Sequence, residues 1–105
     1  MNLGESQITY KKLNDLANSL ALELQKLGVG PEIRVGILMK KSPELIETLL
    51  GVMKAGGTYI PIHIDSPPER IKFILKDANA RFLITNIDID PLYDFEGTIL
   101  NIHDL

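Results

Sequence analysis

Few side chains in this sequence are of types and spacings that could do chemistry. Gly56-Gly57 is the first candidate, since adjacent glycines let backbone N–H groups close on a phosphate. In a phosphate loop, however, the glycines follow a strand, open a helix and lead into Lys and Ser/Thr. Here a helical run ends at the glycines and a strand-like run begins after them, which predicts a helix C-cap instead. His63 and Asp65 with His103 offer imidazole and carboxylate groups for a metal, but nothing has the paired spacing of a zinc site, and loop residues are the expectation. Asp88, Asp90 and Asp94 lack the glycine and the bidentate acid that calcium loops place at fixed positions, so a solvated acidic loop is expected. Ser42 and Ser66 have no His or acid partner at a nucleophile's spacing, and both are explained as helix caps. The pairs Lys11-Lys12 and Lys40-Lys41 could steer an acidic partner, yet read more simply as solvated surface. Tyr10 and Tyr59 are expected to pack with their hydroxyls at the boundary.

The elements that would position these residues follow from the hydrophobic period. Leu13, Leu16, Ala17, Leu20, Ala21, Leu24 and Leu27 recur at helical spacing on one face, with Thr9 as N-cap and Gly28 at the left-handed C′ position. Gly30-Pro31-Glu32 turns the chain into a buried strand over 33–39. Ser42-Pro43-Glu44 then opens a second helix through capping hydroxyl, N1 proline and first-turn acid. Its Leu45, Ile46, Leu49, Leu50, Val52 and Met53 are apolar over more than one face. Residues 58–62 form a short strand that Pro61 places at an end or an edge. Ser66 and Glu69 make a capping box around Pro67 at N1, opening a third helix with Ile71, Ile74, Leu75 and Ala78 inward. Strands are expected over 81–85 and 98–102. Helices alternating with strands predict an α/β layered fold with a mainly parallel sheet and flanking helices.

Composition narrows the function classes. The chain has 105 residues, a net charge of −3 and 45% apolar content, which fits one small domain. No block of like charge suits nucleic acid or an acidic membrane, and no apolar run reaches membrane-spanning length. With no cysteine there is neither disulfide nor thiolate metal site, and a cytoplasmic location is expected.

Two stretches resemble a known family. Ile8-Thr9-Tyr10-Lys11-Lys12-Leu13-Asn14 resembles the opening core motif of AMP-forming adenylation domains of the nonribosomal peptide synthetase type. The run Val52-Met53-Lys54-Ala55-Gly56-Gly57-Thr58-Tyr59-Ile60-Pro61-Ile62 resembles their second core motif. Leu27-Gly28-Val29-Gly30-Pro31, the helix after Ser42, Pro68-Glu69-Arg70-Ile71 and 77–85 keep the same order and spacing, so the resemblance covers roughly 8–85. His63-Ile64 departs from the Asp-Pro pair usual in the family.

The resemblance implies that residues 1–105 are the N-terminal portion of an adenylation domain and part of its large N-terminal subdomain. In complete form that domain uses ATP and magnesium to activate an amino acid, then loads it on a carrier-protein phosphopantetheine thiol. The phosphate loop, the nucleotide- and acid-binding segments and the catalytic lysine of the family have no counterpart here. No catalytic, cofactor-binding or metal-ligating residue is therefore assigned, and a scaffold inactive alone is expected. Its partners would be the remainder of the domain and the carrier protein, with self-association through an exposed apolar face. Two alternatives stay open: a free-standing or split-protein interaction module completed by a partner chain, and a fragment similar to the D-alanine–carrier-protein ligases, suggested by Asp65-Ser66-Pro67-Pro68.

Overall fold

Each helix stops by the same device. The computed structural model describes residues 2–3, 6–7, 10–88 and 94–104. In it, α1 (Tyr10–Leu27), α2 (Pro43–Lys54) and α3 (Pro68–Asp77) are each followed by a residue of positive φ: Gly28, Gly56 and Asn79. Paired bonds close every end. Val29 N–H donates to Leu24 O and Gly28 N–H to Gln25 O; Gly57 and Gly56 do the same to Val52 and Met53, and Ala80 and Asn79 to Leu75 and Lys76. This is the Schellman arrangement, which satisfies carbonyls a helix end leaves orphaned. The two glycines were legible as caps. Asn79 does the same work at φ 52°, tolerated because asparagine is the non-glycine residue least opposed to that region.

Helix starts depart from expectation. Thr9 lies outside the described residues. Ser42 does occupy the N-cap of α2, with Pro43 next, but its hydroxyl makes no capping bond. At α3 the cap position falls on Pro67 and N1 on Pro68, one residue later than the capping box predicted, and no side chain caps it. A proline N-cap offers no acceptor, so the helix relies on its fixed φ and on Glu69 in the first turn.

The strands are β1 (Asn2–Leu3), β2 (Ser6–Gln7), β3 (Arg34–Leu38), β4 (Thr58–Pro61), β5 (Phe82–Thr85) and β6 (Thr98–Asn101), with a short 3₁₀ turn over Ile102–Asp104. The antiparallel pair β1–β2 was not expected from the sequence. The other four form one wholly parallel sheet in the order β4-β3-β5-β6. The chain thus runs outward from β3 to β4, then crosses back over β3 to β5. Right-handed crossovers in opposite directions must lay their helices on opposite faces. One core accordingly joins Leu20, Ala21 and Leu24 of α1 and Val52 of α2 to Val35, Ile37, Phe82 and Ile84. The other joins Ile71 and Leu75 of α3 to Leu38, Ile62 and Leu83. The fold is α/β, as predicted.

Covering both faces explains why β3 and β5 lack polar alternation: every residue from Val35 to Leu38 and from Phe82 to Thr85 is buried. Each fully buried Leu or Ile here, such as Leu24, Leu38, Ile71, Leu83 and Ile84, contributes about 1.5–3 kcal/mol. Arg34 binds the layers further, its guanidinium donating to Ala78 O at 3.0 Å at the end of α3. The α1 stripe is narrower than its spacing suggested. Leu13, Ala17, Leu20, Ala21 and Leu24 are buried, while Leu16 and Leu27 at its margins stay exposed. None of the described helices is long and apolar enough to cross a membrane.

Candidate functional site

Open parallel sheets bind ligands beyond the carboxyl ends of their strands, where the chain reverses its direction across the sheet. In this fold that point lies between β3 and β5, because β4 flanks one side of β3 and β5 the other. A side chain bridges it. Asn86, just after β5, accepts the Lys40 N–H on Oδ1 at 2.9 Å; its amide nitrogen donates to Lys40 O and to Ser42 Oγ, each at 3.4 Å. Thr85 supports the turn, its Oγ1 accepting the Ile87 N–H at 3.1 Å and donating to Ile87 O at 3.3 Å. One amide thereby ties the ends of the two strands together. The Ser42 hydroxyl expected to cap α2 is turned to Asn86 instead, which accounts for the missing cap bond. Asn86 escaped sequence reading because a single Asn after a strand carries no distinguishing pattern.

Beside this clamp runs the larger concavity, an open groove of about 610 Å³ between α2 and the outer edge of β4. Ile37, Met39, Leu45, Leu49, Tyr59 and Pro61 make its apolar walls, and Lys41, His63 and Asp65 stand at its mouth. This is where the second apolar face of α2 goes: Leu45 and Leu49 are only half buried, packed on the core from one side and open to the groove on the other. Volume and lining fall in the range of ligand sites. Polar groups converging on one point within it are lacking among the described residues. Glu47, also on α2, has its carboxyl pushed above the ordinary value by burial and then by the nearby Glu44 charge, but it does not line the groove.

The remaining candidates stay apart. His63 Nδ1 accepts the Asp65 N–H at 3.2 Å and sits 3.7 Å from Asp65 Oδ2, a local contact between exposed residues. His103 instead donates its N–H to Asn101 Oδ1 at 3.0 Å, beyond the far strand. No cluster of three His, Cys, Asp or Glu suited to a metal occurs among the described residues. Asp90 lies outside them, and Asp94 pairs with Lys72 at 3.5 Å. Gly56 and Gly57 end α2, as predicted. A smaller hollow of about 260 Å³ lies between α3 and residues 94–97, where Phe95 packs on the α3 core. Lys11, Lys40 and Lys41 are exposed. Tyr59 is only partly packed, forming groove wall, and the Tyr10 side chain lies outside the described residues. The arrangement supports binding and packing surfaces, and among the described residues no nucleophile and base come together.

Comparison with known proteins agrees with the architecture. The sequence profile of the AMP-binding enzyme family matches residues 2–103. Bacitracin synthase 1 of Bacillus licheniformis is 43% identical over 99 residues, covering 94% of this chain and 2% of that protein. The Klebsiella oxytoca NpsA N-terminal subdomain, solved in complex with 3-hydroxybenzoyl-AMSN, superposes with a TM-score of 0.84 at 31% identity, over 94% of this chain and 24% of that one. NpsA-ThdA, an artificially fused adenylation-PCP di-domain from Klebsiella oxytoca, gives 0.88 at 30% identity over 96% and 19%. The chain thus spans a quarter or less of these solved relatives and a few hundredths of the synthase. It belongs to the AMP-binding enzyme family, as an N-terminal part of an adenylation domain of the nonribosomal peptide synthetase type.

Proposed function

We propose that this chain is the leading βα scaffold of an adenylation domain and performs no catalysis alone. In the whole domain the reaction would be activation of an amino acid with ATP to an aminoacyl-adenylate, followed by loading onto a carrier-protein thiol. The reading is carried by the clamp at the sheet's switch point: the place where such a sheet would hold a ligand is bridged by Asn86, bonded to Lys40 and Ser42. The described residues do not fit ATP or magnesium. They offer no glycine-rich strand-to-helix turn and no cluster of acids, so both would be held by parts of the domain beyond this chain. What this chain would supply is a rigid sheet and the apolar groove wall against which those parts pack. Residues 1–105 are accordingly one portion of a single domain. A cytoplasmic location is consistent with its lack of cysteine. The carrier protein as partner is supported by the fused NpsA-ThdA relative.

The test is amino-acid-dependent exchange of pyrophosphate into ATP by the purified chain. No exchange above a boiled control is the expected result. Exchange that requires a particular amino acid would overturn the proposal.

A further inference from the structure

β5 and β6 are parallel neighbours, so the chain between them must cross one face of the sheet. The step from β5 to β6 runs in the same direction as the step from β4 to β5, so a right-handed crossover lies on the α3 face. Phe95 is found there, packed on the core that holds Leu75 and Leu83. Among the described residues of this connection, 86–88 and 94–97, it is the one side chain that enters either core. Asp94 turns the chain at φ 47°, and its carboxylate meets Lys72 at 3.5 Å, an exposed pair that adds little. A Cβ built on Gly97 would stand 2.5 Å from both Arg81 O and Phe95 Cζ, and 2.8 Å from Phe95 Cε2. Arg81 O is fixed, because it accepts the Thr98 N–H at 3.0 Å while the Arg81 N–H donates to Arg34 O at 2.9 Å. The ring therefore lies across the Gly97 backbone, between α3 and the start of β6.

We infer that residues 94–97 form a strap that closes on α3 with the Phe95 ring as its catch, and that this closure seats β6 on β5. The parts of the strap need one another. The ring reaches the α3 core by passing over a residue without a side chain, and Gly97 supplies it. Once the ring is down, Gly97 is held against Arg81 O. That brings the Thr98 N–H to the same carbonyl and begins the ladder that runs from Phe82–Thr98 to Thr85–Asn101. Leu100 holds β6 from the opposite face, on the core of α1 and α2. On the α3 face the catch has little help: a hollow of about 260 Å³ stays beneath the strap, and the Lys72–Asp94 pair is exposed. Releasing one ring thus frees the strap and loosens β6 while β3, β4 and β5 stay paired, a local opening that costs less than global unfolding. The inference goes beyond the scaffold role and does not depend on it.

NMR on the unmodified chain reads the catch directly. The phenyl ring lies against Gly97, so its two Hα signals should stand well apart, and should draw together in Phe95→Leu. In native-state amide exchange under rising urea, Thr98 should exchange through a smaller opening than Gly36 and Ile84, with a shallower urea dependence. Phe95→Ala should speed exchange at Thr98 at least about tenfold and leave Gly36 and Ile84 protected. Gly97→Ala should act in the same direction, and by less in a Phe95→Ala background, where one of the two groups in its way is gone. Phe73→Ala, which removes an exposed ring from α3, should change none of these. Thr98 opening with the same urea dependence as Gly36 and Ile84 overturns the inference, and so does Thr98 exchange unaltered by Phe95→Ala. Should Phe95→Ala fail to fold, the urea dependence and the Gly97 signals of the unmodified chain decide.

Discussion

Adding one methyl group at Gly51 tests the packing of α1 on α2. A Cβ built there would stand 2.8 Å from Leu20 Cδ2, 3.0 Å from Cγ and 3.2 Å from Cβ. The first atom can rotate away, but the Cβ is fixed to the α1 backbone, so relief requires the helices to part. Bringing Cγ and Cβ to ordinary contact needs a shift of roughly 0.5 Å across this interface. Two effects oppose each other in Gly51→Ala. Alanine in place of glycine within a helix contributes about 1 kcal/mol of stability, and forced overpacking costs about 1–3 kcal/mol. Leu20 and Val52 are both buried in the joint core, with little room to yield, so overpacking should win by about 1 kcal/mol. For a chain of this size that lowers the melting temperature by about 4–8 °C. Thermal unfolding followed by circular dichroism is the assay. In a Leu20→Ala background the penalty should shrink, since the contacts at 2.8 and 3.0 Å are gone and only the 3.2 Å contact with Cβ remains. A higher melting temperature for Gly51→Ala in the otherwise unaltered chain would refute the packing argument, showing that helix propensity alone governs the site.

Three further outcomes follow from particular atoms. Asn86→Ala removes the acceptor for Lys40 N–H and frees the Ser42 hydroxyl, so it should cost about 1 kcal/mol and speed amide exchange at Lys40, measured by NMR. Thr48→Val should stabilise by up to about 1 kcal/mol in urea unfolding, because Thr48 Oγ1 is buried without a hydrogen-bond partner among the described residues. The carboxyl of Glu47 binds its proton more tightly folded than unfolded, so its contribution is complete below the ordinary glutamate range and is lost as pH rises through the raised value. Glu47→Gln should therefore raise the urea midpoint at about pH 7 and have little effect near pH 4, and Glu44→Gln should shrink the difference.

Much of the fold could be read from residue order because local and global signals agreed. Gly28 and Gly56 announced the ends of α1 and α2, and the all-apolar run after Arg34 announced a strand covered on both sides. Pro61 signalled an end or an edge, and β4 both ends at Pro61 and flanks the described sheet. What escaped depended on contacts between distant residues. Ser42 and Ser66 looked like caps by local pattern; a residue 44 positions downstream claimed the first, and the second lost its place to Pro67 and Pro68. Asn86 shows no feature of its own until β3 and β5 are set side by side. The order β4-β3-β5-β6 follows from crossover handedness only once the helices are assigned to faces, which no periodicity specifies. The excess of apolar residues on α2 was legible, and its cause, an open groove beside β4, was not.

The central claim is that this chain supplies framework to an adenylation domain and no part of its substrate selection. The most direct test replaces the matching adenylation-domain segment of bacitracin synthase 1 with residues 2–103. Amino-acid-dependent exchange between ATP and pyrophosphate should persist, with the host's choice of amino acid unchanged. A folded hybrid that selects a different amino acid, or one that has lost exchange altogether, would contradict the account.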